Sequence, residues 1–249
     1  MAKLRLIFCL ILFIPVLVLS MFFALLPATI MRWLHLFRAE QWWTLHCAQF
    51  VSNYIFLIVG LRTHVEGKEN LPKDMSRICY VANHQSMLDV PLFFAKAGLT
   101  TGIIAKVELK RVPILNWWCF AMRCIFINRK SPRSSVKAIL AGVEQIKQGH
   151  PILIFPEGTR SKTGAIAPFK SGSFKLATRS KAIIVPIVIR GTRQGFEEME
   201  GWRRKKDAYL SICKPIDTAS LNEEGLSQLN ELVQREVESR YDELAKLNG

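Results

Sequence analysis

The amino-acid sequence predicts an α/β protein, a single mixed sheet flanked by helices, with an N-terminal hydrophobic helical segment that anchors it to a membrane. Three observations carry this. Residues 6–31 contain no charged side chain, six short runs rich in Ile or Val follow residue 62, and helical patterns lie between those runs. Half of the 249 residues are hydrophobic and mean hydropathy is +0.18, high for a wholly soluble chain. Charged residues still make up 22%, too many for a polytopic membrane protein. The expected organisation is a membrane-anchoring segment over residues 1–61, a main domain over 62–216 and a packed amphipathic helix over 217–249.

As a helix, the uncharged run 6–31 would be about 39 Å long, against a hydrocarbon core of about 30 Å. Lys3 and Arg5 precede it and Arg32 follows it, as interfacial anchors would. The run exceeds the apolar core of a cleaved signal, about 7–15 residues, so a retained anchor is expected. Residues 41–61 are also uncharged, but His46, Gln49 and Asn53 form a polar stripe, and Trp42 and Trp43 stand at the start. This segment can span the bilayer, lie in its interface or pack on the main domain; the stripe favours the interface.

The strand candidates are 77–82, 101–106, 124–128, 151–155, 182–189 and 208–213. The clearest helix covers 132–148, with Ser131 as N-cap, Pro132 at the first position and Gly149 as a stop. Its expected apolar face is Val136, Ile139, Leu140, Val143 and Ile146. From Ser220 an amphipathic helix presents Leu226, Leu229, Val233 and Val237.

Net charge is +14, and the stretch from Asp217 onward holds eight acids and three bases, so the positive excess lies before it. Such a surface suits anionic lipid headgroups, nucleic acid or an acidic carrier protein. The basic segments lack the interleaved aromatics of a single-strand-binding face, which disfavours nucleic acid. The run Arg203, Arg204, Lys205 and Lys206 after Trp202 reads as a patch for membrane or carrier. No two of the six cysteines have CxxC spacing and most lie in apolar runs, so they read as reduced packing residues in a reducing compartment.

Two segments can carry chemistry. In the first, Asn83, His84 and Asp89 follow a strand candidate. A carboxylate beside an imidazole fixes its tautomer and stabilises its charged form, which makes a general base. On one regular helix, residues five apart point about 140° away from each other. His84 must therefore lie in the turn, with Asp89 reaching back from the helix. Spacing alone is weak, because His35 with Glu40 and His64 with Glu69 share it. His84 differs by its place after a strand, where open α/β sheets gather ligands. In the second segment, a strand runs into Glu157, Gly158, Thr159 and Arg160, a turn with a flexible backbone and a guanidinium suited to phosphate oxygens. Lys106, Arg129 and Lys130 follow other strands and can share the same rim or be ordinary solvated charges.

The stretches from Asn83 to Asp89 and from Phe155 to Ser161 resemble the first and third motifs of the 1-acylglycerol-3-phosphate acyltransferases. The second motif is similar to Lys106–Lys110 with Pro113 and 125–129, and the fourth to 184–188 around Pro186. The likeness covers roughly residues 65–215, in the family order. It implies His84 as base and Asp89 as its partner. It also implies Asn83, Lys106, Arg129, Glu157, Gly158, Thr159, Arg160 and Pro186 around the substrate. No cofactor or metal is implied beyond the acyl thioester, on coenzyme A or acyl carrier protein. The expected partners are membrane lipid, a lysophospholipid acceptor and possible acyl carrier protein, with the catalytic domain on the cytoplasmic side. One departure stands out: the family often has glycines in the second motif, and residues 118–124 have none. Acceptors such as glycerol 3-phosphate, a lyso-ornithine lipid or another lysophospholipid are rivals. A non-enzymatic basic membrane protein is the alternative of another class.

Overall fold

The structure is a computed structural model, and it describes residues 2–198 and 206–247. The Arg203–Lys205 part of the basic run lies outside them. The chain begins with α1 (Ala2–Ser20), continues through a π-helical turn (Met21–Leu25) into α2 (Leu26–Trp33), and folds back as α3 (Phe37–Val59). Pro27 cannot donate a backbone hydrogen bond, and the wider π turn stands directly before it. Of the described helices, only the one covering Ile7–Trp33 is long and apolar enough to cross a membrane.

Then come β1 (Leu61–Glu66), β2 (Ile78–Ala82), α4 (Asp89–Leu92), β3 (Gly102–Lys106), α5 (Leu115–Ala121), β4 (Ile125–Ile127), α6 (Pro132–Lys147) and β5 (Ile152–Ile154). They are followed by α7 (Ser171–Ser180), β6 (Ile183–Arg190), α8 (Thr192–Gly195), β7 (Lys206–Ile212), β8 (Ile216–Asp217), α9 (Glu223–Ser227) and α10 (Leu229–Leu247). The sheet runs β1-β7-β6-β2-β5-β3-β4, with β8 also on β6. Five neighbours, β6-β2-β5-β3-β4, are parallel; β7 is antiparallel to β6 and β1 parallel to β7. The loops leaving the five parallel strands therefore share one edge, and on that edge stand His84, Lys106, Arg129 and residues 157–160.

The sheet is one mixed sheet between two helical layers. Ile78, Tyr80 and Ala82 of β2 face a core shared with α3, while Cys79 and Val81 face the core under α6, α7 and α10. All six predicted strands are present. Two more were missed. In β1, Arg62 and His64 alternate with less exposed neighbours at the sheet edge, a pattern without the Ile and Val run of a central strand. The two-residue β8 is too short to carry a pattern.

Ser131 caps α6, its hydroxyl accepting from the Ser134 N–H at 3.3 Å. Its inward face is rotated from the expected one: Ala138, Gly142, Val143 and Ile146 are buried, while Val136 and Leu140 are half exposed. Gly142 faces Leu176 of α7 so closely that a Cβ would lie 2.3 Å from its Cδ1, so small residues face α7 and the larger ones turn outward. Likewise Leu226 is partly exposed, and the buried face of α10 is Leu229, Val233, Val237 and Leu244.

Residues 41–61 pack on the sheet layer instead of standing apart from it. Thr44, Ala48, Ser52, Phe56 and Val59 are buried, while Trp42, His46, Phe50, Asn53 and Leu57 form the outer face. Arg32 is not a free interfacial anchor. It pairs with the buried Glu40 carboxylate and donates to the Ala121 carbonyl at 3.1 Å. All six cysteines are free thiols, and burial pushes Cys79 and Cys213 up to about 12.

Candidate active site

His84 lies two residues beyond β2, and Asp89 is the first residue of α4. The tight passage between them turns the two side chains toward each other, with Nδ1 of His84 2.7 Å from Oδ2 of Asp89. Asp89 is fully buried. Its Oδ2 also accepts from the N–H groups of Gln85 (2.6 Å) and Ser86 (2.8 Å), and its Oδ1 accepts from the Thr192 hydroxyl (2.7 Å). A buried carboxylate that accepts from this many fixed donors cannot rotate. The imidazole stacks on Phe155, ring centres 4.0 Å apart, and is 15% exposed. With Nδ1 engaged, Nε2 has no hydrogen-bond partner among the described residues. The other two five-apart pairs do not meet: His64 contacts Asp207, and Glu40 binds Arg32 and Arg123.

The loop after β5 closes onto this turn. Glu157 is buried; Oε1 accepts from the His84 N–H at 2.6 Å and Oε2 from the Ala167 N–H at 3.0 Å. Burial raises its pKa, opposed by those two hydrogen bonds. Ser161 N–H donates to the His84 carbonyl at 2.8 Å. The His84 backbone is thus clamped from both sides by residues of the second segment. Gly158 has φ +76°, a left-handed conformation, and its N–H closes the turn on the Phe155 carbonyl. The Lys170 ammonium lies over it, 2.7 Å from where a Cβ would stand, adding a cation that sequence reasoning missed. Thr159 and Arg160 are exposed beside it.

Lys106 ends β3 and pairs with Glu108 at 3.1 Å, and Arg129 follows β4. Two and three strand spacings from β2, they lie about 10 and 14 Å along the same edge. Two predicted contacts lie elsewhere. Asn83 is buried, and both ends of its amide bind the Ile189 backbone at 2.8 Å, fastening β2 to β6. Pro186 is buried in mid-strand opposite Val81, short of the edge. It falls between the residues of β6 that pair with β8 (Ile183, Ile184) and those that pair with β7 (from Ile187). A residue without an N–H fits that gap.

Where glycines are common in the resembling family, Arg123 adopts φ +56°. Its guanidinium contacts Glu40 and the His150 ring, which holds a non-glycine residue in a left-handed conformation. Sequence reasoning also missed Phe155, Thr192, Arg193 and Glu197, which depend on loop closure between distant segments.

An acyltransferase family model matches residues 62–190. The chain is 34% identical over 195 residues to the chloroplastic 1-acyl-sn-glycerol-3-phosphate acyltransferase BAT2 of Brassica napus, covering 78% of this chain and 54% of that one. A 1-acyl-sn-glycerol-3-phosphate acyltransferase of Saccharomyces cerevisiae is 32% identical over 207 residues, covering 82% and 67%. The chain thus spans about half the length of the plant relative. Among solved structures, the 1-acyl-sn-glycerophosphate (LPA) acyltransferase PlsC of Thermotoga maritima superposes with a TM-score of 0.81 at 28% identity, covering 98% of both chains. An imidazole oriented by a buried carboxylate at the loop edge of a mixed α/β sheet is suited to general-base chemistry. This chain belongs to the acyltransferase family.

Proposed function

We propose that the protein transfers a fatty acyl group from a thioester to the sn-2 hydroxyl of 1-acylglycerol 3-phosphate, giving phosphatidic acid for phospholipid synthesis. The observation that carries this reading is the His84–Asp89 contact, which leaves Nε2 as the open base. In this scheme Nε2 removes the acceptor hydroxyl proton as the oxygen attacks the thioester carbonyl. The C–S bond then breaks, and the imidazolium returns the proton to the departing thiolate. Asp89 stabilises the imidazolium. Ser86 is an unsuitable nucleophile for an acyl-enzyme: its hydroxyl donates to Glu197 and accepts from the Leu88 N–H. Arg160, with Lys106 and Arg129 further along the rim, would hold the acceptor phosphate. Glu157 positions His84 through its backbone. The amides of Thr159 and Arg160 are the loop donors offered to the oxyanion, since those of Gly158 and Ser161 are engaged.

The membrane supplies and keeps the lipids. Ile11, Phe22, Phe23, Leu26 and Trp33 are exposed on the N-terminal helices, and Trp117 and Phe120 on α5. Together they form the apolar surface we assign to lipid contact. The free thiols fit a catalytic domain on the cytoplasmic side. Acyl-CoA and acyl carrier protein both satisfy the scheme as donors.

The test is incubation of the full chain, in vesicles, with labelled acyl thioester of either carrier and lysophosphatidate, followed by lipid chromatography. Labelled phosphatidic acid is expected, and its formation should vanish in His84→Ala while circular dichroism is unchanged. Full turnover in that variant removes His84 from the chemistry. Transfer to lyso-ornithine lipid, glycerol 3-phosphate or another lysophospholipid, with none to lysophosphatidate, replaces the acceptor.

A further inference from the structure

Glu197 stands in the turn after α8, beyond the region matched by the family model. Its Oε2 accepts from the Ser86 hydroxyl at 2.7 Å and its Oε1 from the Met87 N–H at 2.9 Å. Arg160 Nη1 lies 3.8 Å from the same Oε1. A hydroxyl, a backbone N–H and a guanidinium converging on one point are a recognition set for an oxyanion. That point lies two to three residues from His84, and the chain fills it with a carboxylate of its own.

The placement is held from behind. Arg193 donates to the Ser161 carbonyl at 2.7 Å and the Lys162 carbonyl at 2.6 Å, and it pairs with Glu198 at 2.5 Å. Segment 193–198 is thereby strapped across the Arg160 loop. The Arg160–Glu197 contact itself is long, and Arg160 is 48% exposed, so solvent screens it and an incoming anion can displace it. A phosphate monoester carries up to two charges and three acceptor oxygens where the carboxylate offers one charge and two.

We propose that Glu197 is a placeholder anion: it occupies the oxyanion position that the acceptor phosphate takes, and the phosphate must displace it to bind. Glu197 then sets selectivity, because a neutral or weakly anionic headgroup cannot compete with it. This rests on the reading of Arg160 as a phosphate contact.

The test uses Glu197→Gln in the full chain, because glutamine removes the charge, keeps one acceptor oxygen for the Met87 N–H, and can donate from its amide nitrogen to the Ser86 hydroxyl oxygen. The probe is sn-glycerol 3-phosphate, followed by calorimetry and as a competitor of lysophosphatidate in acyl transfer. Removing the charge should tighten binding of the probe about three- to tenfold and lower the lysophosphatidate KM alike, by more than it changes the thioester KM. Unchanged or weaker binding of the probe overturns the proposal and makes Glu197 a structural pin for residues 86–88. If the wild-type chain transfers no acyl group to a phosphate-bearing acceptor, the functional reading fails. The calorimetric comparison still decides the placeholder.

Discussion

Thr192 donates its hydroxyl hydrogen to Oδ1 of Asp89 over 2.7 Å, and both residues are fully buried. The bond ties the end of β6 to the carboxylate that orients His84. Thr192→Val keeps the shape and removes the donor, leaving a buried carboxylate oxygen unpaired, which costs about 1–3 kcal/mol of stability. In catalysis we expect kcat to fall about tenfold with the acceptor KM little changed, and Thr192→Ser to restore it. A kcat loss that serine does not rescue would point to packing instead of the hydrogen bond.

Gly191, just before Thr192, has φ +85°, and a Cβ there would lie 2.2 Å from the Asp207 carbonyl oxygen. Backbone on one side and a left-handed conformation on the other leave a side chain no room. Gly191→Ala should lower unfolding free energy by about 2 kcal/mol or more in urea melts. It should also displace Thr192 enough to reduce activity under conditions where the chain is still folded.

Arg160→Ala should raise the lysophosphatidate KM about tenfold while leaving the thioester KM near its original value. An unchanged acceptor KM would remove Arg160 from the phosphate contacts.

His150 predicts a pH effect remote from the His84–Asp89 pair. Burial first, and then the Arg123 charge, lowers its pKa below the ordinary imidazole value of about 6.5. The folded state keeps this ring neutral, and the unfolded chain takes up the proton more readily. Its contribution to stability is therefore complete above about pH 6.5 and is lost as pH falls through the lower folded value. Urea midpoints measured from pH 7.5 down to 5 should fall, and His150→Gln should flatten that slope. Equal slopes would assign the acid sensitivity to other groups.

The central strands were legible because burial on both faces demands continuous apolar runs, as in Ile78–Ala82 and Ile183–Arg190. Ser131 and Pro132 likewise mark the start of α6 through local chemistry that no tertiary contact needs to supply. The His84–Asp89 geometry was legible because only a turn can bring residues five apart together. Asn83 and Pro186 were placed in the site through resemblance to motifs, and the structure uses both for joints between strands. Thr192 and Glu197 were illegible for a different reason. Their partners lie 103 and 111 residues away, and nothing local to either residue signals the contact. The inward face of α6 was misread because periodicity cannot tell which of two adjacent stripes meets a neighbouring helix.

The packing of α3 against the sheet bears on how the protein can be handled. Phe56 and Val59 share a core with Leu92, Phe93 and Val185, so the hydrophobic leader is part of the folding unit and not a detachable tether. Cutting the chain after residue 61 should give insoluble or unfolded material on expression, where a separate anchor would release a compact enzyme. Extraction from the bilayer we propose for it faces the same constraint: a surfactant able to strip α1 from α3 attacks the wall of the α/β domain, so mild amphiphiles should preserve its activity where harsher ones abolish it.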